Sequence, residues 1–236
     1  MIKTYKKEYD YSYTLGVFLT IELLKFKYEY ATMVAIFSKT KDSDGIEIIK
    51  ELCKEHHIKC EINDKQINNL SPKSNCYAVG FFKKYNCKIN NKNKHIVLVN
   101  PSDSGNLGTI MRSMAGFTAT DLAIIKPAVD IFDPKTIRAS MGAIFHINFE
   151  YFDTFEKYKK LQPENRNFYP FMLSASKPLQ DLKPQMPYSF IFGNESSGLT
   201  DNFKTVGQCV IIPHSTIIDS LNLQTAVAIA LYSTSL

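Results

Sequence analysis

The chain has 236 residues, of which 44% are hydrophobic and 22% charged, a composition typical of a globular protein with a hydrophobic core. It contains no apolar run of roughly 18 residues, so a membrane-spanning helix is not expected. The first residues lack the apolar segment of a signal peptide. The five cysteines include no C-x-x-C pair, which argues against a zinc site or a disulfide framework and favours reduced thiols in the cytoplasm.

The positive charge is concentrated in the first part of the chain. Residues 1–95 hold 17 lysines and no arginine against 11 acidic residues, a net charge of +6, whereas residues 96–236 carry −1. A lysine-rich region fits contact with the phosphates of a nucleic acid. It fits a solvated surface without a partner equally well, so charge alone leaves both interpretations open.

Residues 1–85 predict a small α/β domain. Apolar spacing predicts one helix around Thr20–Leu24 and another over Gly45–His57, and Asn63 is placed to cap a third. Strand-like runs lie between these helices, at 31–37, 58–62 and 77–82. The polar, asparagine-rich residues 86–94 predict a linker to the second part.

Residues 95–236 predict a parallel sheet with helices around it, because strand-like and helix-like runs alternate. The strands are predicted at 95–99, 122–125, 143–149, 168–173, 189–192 and 209–212. The helices are predicted at 107–116, 134–139, 152–161 and 223–233. The last helix is apolar on most sides, which predicts burial against the sheet or a partner subunit.

Three loops that follow predicted strands are candidate binding loops, since ligands of open parallel sheets bind beyond the carboxyl ends of strands. They contain Asn106-Leu107-Gly108-Thr109-Ile110-Met111-Arg112, Gly193-Asn194-Glu195-Ser196-Ser197-Gly198-Leu199, and Ile212-Pro213 followed by Ser220-Leu221-Asn222. Helix capping, by Asn106 for example, explains each loop taken alone. The dinucleotide motif G-x-G-x-x-G, the phosphate loop G-x-x-x-x-G-K-S/T and the nucleophile elbow G-x-S-x-G do not occur in the sequence.

Taken in this order, the three motifs resemble the SpoU (TrmH) family of RNA ribose methyltransferases, within the SPOUT superfamily. The resemblance covers about residues 94–236 and includes Ala139–Phe145, which is also similar to the family. The first part looks more loosely like the RNA substrate-binding domain often fused ahead of such a domain, through Thr14–Phe18, Glu22–Leu24 and Asn75–Gly80. The resemblance implies an α/β chain with a substrate-binding domain at 1–85, a linker at 86–94 and a parallel-sheet domain at 95–236 that ends in a trefoil knot.

The resemblance also implies the ligands and the site residues. The cofactor is expected to be S-adenosylmethionine, the substrate RNA (ribosomal rather than transfer RNA), and the assembly a homodimer, without a metal or a membrane. The cofactor-binding residues that it implies are Ser174, Gly193, Asn194, Leu199, Ile212, Pro213 and Leu221. The catalytic residues that it implies are Asn106, Arg112, Glu195, Ser220 and Asn222.

A guanidinium stays protonated at neutral pH, so it cannot readily accept a proton. Arg112 is therefore expected to hold the phosphate beside the target ribose and to orient or activate the 2′-hydroxyl. Asn106 would hold the same ribose or phosphate. Glu195 would fix either Arg112 or the loop, while Ser220 and Asn222 would line the acceptor side. Two departures from the family pattern are Asn100, where Asp is common, and Leu223-Gln224 after the third motif.

Three other interpretations fit the residues less well. One is an RNA-binding protein that keeps the fold without catalysis, and another is a SPOUT enzyme that methylates a base. The third is a small-molecule α/β enzyme with a serine, histidine or cysteine nucleophile, although the histidines have no evident partners in the sequence.

Overall fold

The computed structural model describes residues 3–40, 43–71 and 75–234, and the chain forms two compact units. The first unit combines residues 1–85 with 130–146, and the second combines 86–129 with 147–236. Packing therefore places 130–146 with the first unit and 86–94 with the second. The assignment of substrate binding to 1–85 and catalysis to 95–236 stays a prediction.

The first unit is built on a mixed four-stranded sheet in the order β1-β4-β2-β3. Its strands are β1 (Tyr11–Tyr13), β2 (Ala31–Ile36), β3 (Lys59–Ile62) and β4 (Ala78–Lys83). Its helices are α1 (Val17–Phe26), α2 (Asp44–Glu55), α3 (Asp64–Leu70) and α5 (Pro134–Ala139). The three helices and three strands predicted for residues 1–85 are confirmed, and β1 is an addition. Asn63 caps α3, since its side chain accepts a hydrogen bond from the Gln66 amide at 3.0 Å.

Helices cover both faces of this sheet. Val34 and Ile36 of β2 belong to the cluster that contains Leu24 of α1 and Ile49 of α2. Ala35, between them in sequence, belongs to the opposite cluster with Ile67 of α3. Successive residues of a strand point to opposite faces of the sheet, so α1 and α2 lie on one face and α3 on the other.

The second unit is built on a five-stranded, entirely parallel sheet in the order β7-β6-β5-β10-β8. Its strands are β5 (His95–Val99), β6 (Asp121–Ile125), β7 (Asn148–Phe152), β8 (Asn167–Pro170) and β10 (Tyr188–Phe192). A second, two-stranded sheet pairs β9 (Lys177–Pro178) with β11 (Val210–Ile211). Its helices are α4 (Ser104–Gly116), α6 (Phe155–Lys160) and α7 (Leu223–Ser233). The predicted parallel sheet is therefore confirmed, but the strand predicted at 209–212 is β11 and belongs to the second sheet.

The predicted strand at 143–149 is wrong over its first half. Residues 143–145 form a single 3-10 turn, and β7 begins only at Asn148. Met141 and Gly142 adopt left-handed conformations with φ of +48° and +86°, which an extended strand cannot continue from. The apolar residues Ala143–Phe145 are still buried, as their composition predicts.

The segment 86–94, predicted as a linker, lies against the second unit. Ile89 belongs to the core cluster of that unit. The Asn90 amide donates to Asp121 at 2.7 Å, and the carbonyls of Asn91 and Asn93 accept from Arg166 at 2.6 and 3.0 Å. These bonds fix the segment at the edge where β5 and β6 begin.

A buried chain of hydrogen bonds continues from Arg166 into the sheet. Its guanidinium donates to Ser189 at 3.2 Å, and Ser189 lies 2.6 Å from the Tyr158 hydroxyl. Tyr158 lies 2.8 Å from Nδ1 of His95, whose Nε2 lies 3.0 Å from the Asn90 carbonyl. Burial is the main cause that lowers the pKa of His95, to about 4, so the ring is neutral at pH 7.

No helix in the described ranges is long and apolar enough to cross a membrane. The trefoil knot stays a prediction.

Candidate active site

The first candidate loop connects β5 to α4. Asn100 adopts a left-handed conformation with φ of +56°, which asparagine tolerates better than most residues. Asp103, rather than Asn106, caps α4, because its carboxylate accepts a hydrogen bond from the Asn106 amide at 2.7 Å. The helix consequently begins at Ser104, three residues before its predicted start.

The second candidate loop follows β10 and folds back on itself. The Asn194 carboxamide oxygen accepts hydrogen bonds from the amides of Ser196 and Ser197 at 3.0 and 3.3 Å. The Gly198 amide donates to the Asn194 carbonyl at 2.9 Å. A Cβ atom on Gly193 would lie 2.1 Å from the carbonyl carbon of Gly198, so a side chain larger than glycine cannot fit without moving this loop.

Glu195 joins the two loops. Its carboxylate accepts hydrogen bonds from the Ser102 amide and hydroxyl at 3.0 and 2.7 Å, the Asp103 amide at 3.2 Å and the Asn106 side chain at 3.3 Å. Partial burial raises the pKa of Glu195, but the hydrogen bonds, led by those from Ser102, outweigh it and hold the pKa below its usual value. Glu195 is thus an ionised clamp on the β5–α4 loop. Beside it, the Asn194 side chain donates to the Asn100 carbonyl at 2.7 Å.

The third candidate loop leads from β11 to α7. Asn222 caps α7, accepting a hydrogen bond from the Gln224 amide at 3.0 Å. The His214 ring lies 2.8 Å from the Ile212 carbonyl, which holds it inside the loop. α7 packs against α4, and the buried side chains of α7 are Leu223, Val227, Ala230 and Leu231.

A cavity of about 350 Å³ opens where the second and third candidate loops, which follow β10 and β11, meet the segment after β8. Six of the seven residues predicted to bind the cofactor line it: Ser174, Gly193, Asn194, Leu199, Ile212 and Leu221. Two of the predicted catalytic residues, Glu195 and Ser220, line it as well. Pro213 is not among its lining residues, and Asn106 reaches the site only through its bond to Glu195.

Arg112 lies apart from this cavity. It is exposed on α4 and does not line the cavity of its own chain. Six positions separate it from Asn106, which places the two side chains about 120° apart around the helix. Within the described ranges the Arg112 side chain forms no hydrogen bond or ion pair, so Glu195 fixes the loop and not Arg112.

Comparison with known proteins identifies the family. The model of the SpoU rRNA Methylase family matches residues 93–232. The chain belongs to this family. The predicted family, and the S-adenosylmethionine cofactor that this family uses, are thereby confirmed.

Two relatives illustrate the extent of the similarity. A putative tRNA (cytidine(34)-2′-O)-methyltransferase of Listeria monocytogenes is 33% identical over 144 residues, which are 58% of this chain and 84% of that protein. The ribosomal RNA small subunit methyltransferase G 2 of Syntrophobacter fumaroxidans is 32% identical over 139 residues, which are 59% of this chain. This chain thus spans about a quarter (26%) of the length of the second relative.

Solved structures match nearly the whole chain and confirm the fold. The AdoMet-bound rRNA methyltransferase from Sinorhizobium meliloti has a TM-score of 0.79 and 22% identity, and the match covers 95% of this chain and 87% of that one. The SpoU methyltransferase AviRb from Streptomyces viridochromogenes has a TM-score of 0.82 and 17% identity, covering 96% and 89%. These two proteins therefore share with this chain the combination of a parallel-sheet domain and a smaller α/β part.

The cavity fits S-adenosylmethionine in size and in charge. Its volume lies within the roughly 300–1,000 Å³ range of small-molecule sites. Among the described residues, the charged side chains that line it are the carboxylates of Glu195 and Asp201, and no lysine or arginine lines it. Asp201 is paired with Lys204 at 2.8 Å, so Glu195 contributes the net negative charge of this wall. The cofactor carries a sulfonium and an ammonium against one carboxylate, so an acidic wall suits its net positive charge. Within the described ranges no cluster of residues could hold a metal ion.

Sequence reasoning missed several residues of this site. Ser102 and Asp103 received no role, although they donate three of the four hydrogen bonds to Glu195 that join the two loops. Asp201 and His214 line the cavity but were not predicted to do so. The signal for Ser102 was its place in the loop that follows the predicted strand 95–99, whereas no local pattern marks Asp201.

Proposed function

We propose that this chain transfers a methyl group from S-adenosylmethionine to a ribose 2′-hydroxyl of RNA. The observation that carries the proposal is the cavity at the carboxyl end of β10. The second and third motifs line it, and the hydrogen bonds of Glu195 connect it to the first motif. Family membership supports the methyl donor, and the acidic wall accepts its charge.

The residues of this chain have distinct tasks in the proposed reaction. When bound, the cofactor would supply an electrophilic methyl group on its sulfonium for in-line transfer to an oxygen nucleophile. Gly193 lets the loop backbone approach the donor, while the side chains of Ile212 and Leu221 form its apolar wall. Glu195 holds Asn106 and the β5–α4 loop in place, and Asn106 and Ser220 are available to contact the ribose.

Arg112 is proposed to act across a dimer interface. Its guanidinium is exposed and lies outside the cavity of its own chain. On α7, which packs against α4, the side chains of Ile229 and Tyr232 are 37% and 56% exposed. A homodimer that covers this side would bury the exposed apolar side chains and could bring Arg112 to the partner's cavity. There it would hold the phosphate next to the target ribose and lower the cost of deprotonating the 2′-hydroxyl.

Ribosomal RNA is proposed as the substrate class in preference to transfer RNA. The Listeria transfer RNA relative aligns over 84% of its own length but only 58% of this chain, so about two fifths of this chain have no counterpart there. The basic first part falls largely in the remainder and is proposed to add contacts to a larger RNA. The proposed location of the reaction is the cytoplasm.

The test is product analysis with purified protein, S-adenosylmethionine carrying a labelled methyl group, and two RNA substrates. Ribosomal and transfer RNA from cells that lack the protein are incubated separately, digested to nucleosides and analysed by mass spectrometry. We expect label on a 2′-O-methyl nucleoside from the ribosomal RNA. Label on a base would support the base-methylating alternative. Cofactor binding below detection by calorimetry, together with RNA binding, would support the non-catalytic alternative.

A further inference from the structure

The outward face of α1, in the first unit, exposes aromatic side chains. Phe18 is 52% exposed and Phe26 is 46% exposed. A helix turns by about 100° per residue, so Phe18, Glu22, Lys25 and Phe26 lie within a sector of about 100°. Lys25 is exposed as well. Aromatic rings gathered on one side of a helix beside a cation are typical of a contact surface.

The segment that contains α5 lies along this face. A Cβ atom on Gly142 would lie 2.8 Å from Cγ of Glu22. The His146 ring bonds to the Glu22 carboxylate at 2.7 Å and lies 4.0 Å from the Phe26 ring, centroid to centroid. Residues 141–146 therefore extend the face of α1 sideways, and Met141, 46% exposed, becomes part of it.

The backbone and the charge of this segment are unusual. Met141 has φ of +48°, a left-handed conformation that a methionine rarely adopts and that is common at binding sites. The Arg138 side chain is exposed and forms no hydrogen bond or ion pair within the described ranges. The Arg138 carbonyl accepts a hydrogen bond from the Met141 amide at 3.2 Å, so Arg138 lies next to Met141 at the end of α5.

We propose that this surface, formed by Phe18, Lys25, Phe26, Arg138 and Met141 and named the α1 surface, binds unpaired nucleotides of the RNA substrate. The inference rests on the proposed function and deepens it. Exposed aromatic rings stack on unpaired bases, which is how proteins commonly hold single-stranded RNA. Lys25 and Arg138 are placed to bind phosphates, and the carboxylate on this face, Glu22, is already bonded to His146. This cationic character favours RNA over an apolar protein segment.

A fluorescent substitution tests stacking directly. The chain has no tryptophan, so Phe18→Trp in the full chain introduces a single reporter. Addition of single-stranded dodecauridylate is expected to quench its emission in a saturable way. The matched control is Ile62→Trp, at the end of β3, where the native side chain is 59% exposed. Its emission is expected to stay constant. Equal quenching of both reporters, or of neither, would overturn the assignment of Phe18.

Affinity measurements test the charge and the ring separately. Anisotropy of labelled dodecauridylate is measured at several salt concentrations, with a 12-base-pair RNA duplex for comparison. Arg138→Gln is expected to reduce the slope of log affinity against log salt by about 0.7, as for one lost phosphate contact on a single strand. Phe18→Ala is expected to weaken binding at least about fivefold, which corresponds to about 1 kcal/mol, and to leave that slope unchanged.

A matched control lies on the opposite face of the same sheet. Lys65 is exposed on α3, and Lys65→Gln is expected to change neither affinity nor slope. Thermal unfolding verifies that each variant folds. Wild-type protein that methylates RNA while both variants bind RNA normally would overturn the α1 surface and leave the proposed function intact. Wild-type protein that binds neither S-adenosylmethionine nor RNA would overturn the proposed function itself.

Discussion

The hydroxyl of Ser102 donates a hydrogen bond of 2.7 Å to the carboxylate of Glu195, 93 residues later in the chain. The same carboxylate accepts two further bonds from the β5–α4 loop and one from Asn106 in the first turn of α4. One side chain thus ties the start of α4, with the loop before it, to the loop that lines the cavity. The geometry of the proposed site for the methyl acceptor, the ribose, therefore depends on Glu195, which itself lines the cavity proposed for the methyl donor.

Glu195→Gln is predicted to lower affinity for S-adenosylmethionine at least tenfold. The glutamine side chain is neutral and turns an NH₂ group toward the donors on Ser102, Asp103 and Asn106. The charge-assisted hydrogen bonds of the carboxylate, each contributing about 1.5–3 kcal/mol, are therefore lost. Calorimetric titration measures the affinity. Glu164→Gln, at an exposed position of the same unit, is the control and should bind normally. Unchanged affinity in Glu195→Gln would show that the clamp does not shape the cavity.

Gly193→Ala is predicted to abolish cofactor binding while the protein still folds. The new methyl group would lie 2.1 Å from the backbone of Gly198, so the loop between them must move away. Gly116→Ala is the control, because a Cβ atom there meets nothing within 4 Å. Calorimetry and thermal unfolding on both variants separate a local defect from global unfolding. Normal cofactor affinity in Gly193→Ala would contradict the placement of the donor beside this loop.

Arg112→Ala is predicted to bind S-adenosylmethionine normally and to lose turnover. Arg112 does not line the cavity of its own chain, so its removal leaves the donor pocket intact, but the acceptor phosphate loses its cation. Methyl transfer to RNA and calorimetric cofactor affinity are measured side by side. Turnover within about tenfold of the wild type, roughly 1.4 kcal/mol, would contradict the assigned role.

Acid is predicted to destabilise the protein through His95. Its pKa in the folded state, about 4, lies below the unfolded value of about 6.5. The unfolded chain therefore binds the additional proton first, and stability declines as pH falls from about 6.5 toward 4, by about 3 kcal/mol at most. Denaturant unfolding across this range measures the decline. His95→Gln should be less stable at pH 7 and should lose this part of the pH dependence; an unaltered pH profile would exclude His95 as its source.

The sequence predicted the parallel sheet because apolar strand-like runs alternate with helix-like runs. The cavity residues followed from the resemblance of three ordered motifs to a known family, because helix capping explains each loop taken alone. The sequence did not predict the packing of 130–146 with the first unit, since that depends on pairs distant in sequence such as Glu22 and His146. It also placed 86–94 in a linker, because this polar segment is held by a donor, Arg166, and an acceptor, Asp121, that lie far along the chain.

The proposed homodimer leads to a final prediction about α7. Ile229 is 37% exposed on this helix, near α4, which carries the exposed Arg112. A carboxylate at that position would have to be desolvated in a subunit interface, at a cost of several kcal/mol. Ile229→Asp is therefore expected to sediment as a monomer and to lose methyl transfer, because each cavity would lack the partner's Arg112. Ile62→Asp, at an exposed position of β3, should remain dimeric and active. If the wild type sediments as a monomer and is fully active, Arg112 must act within its own chain.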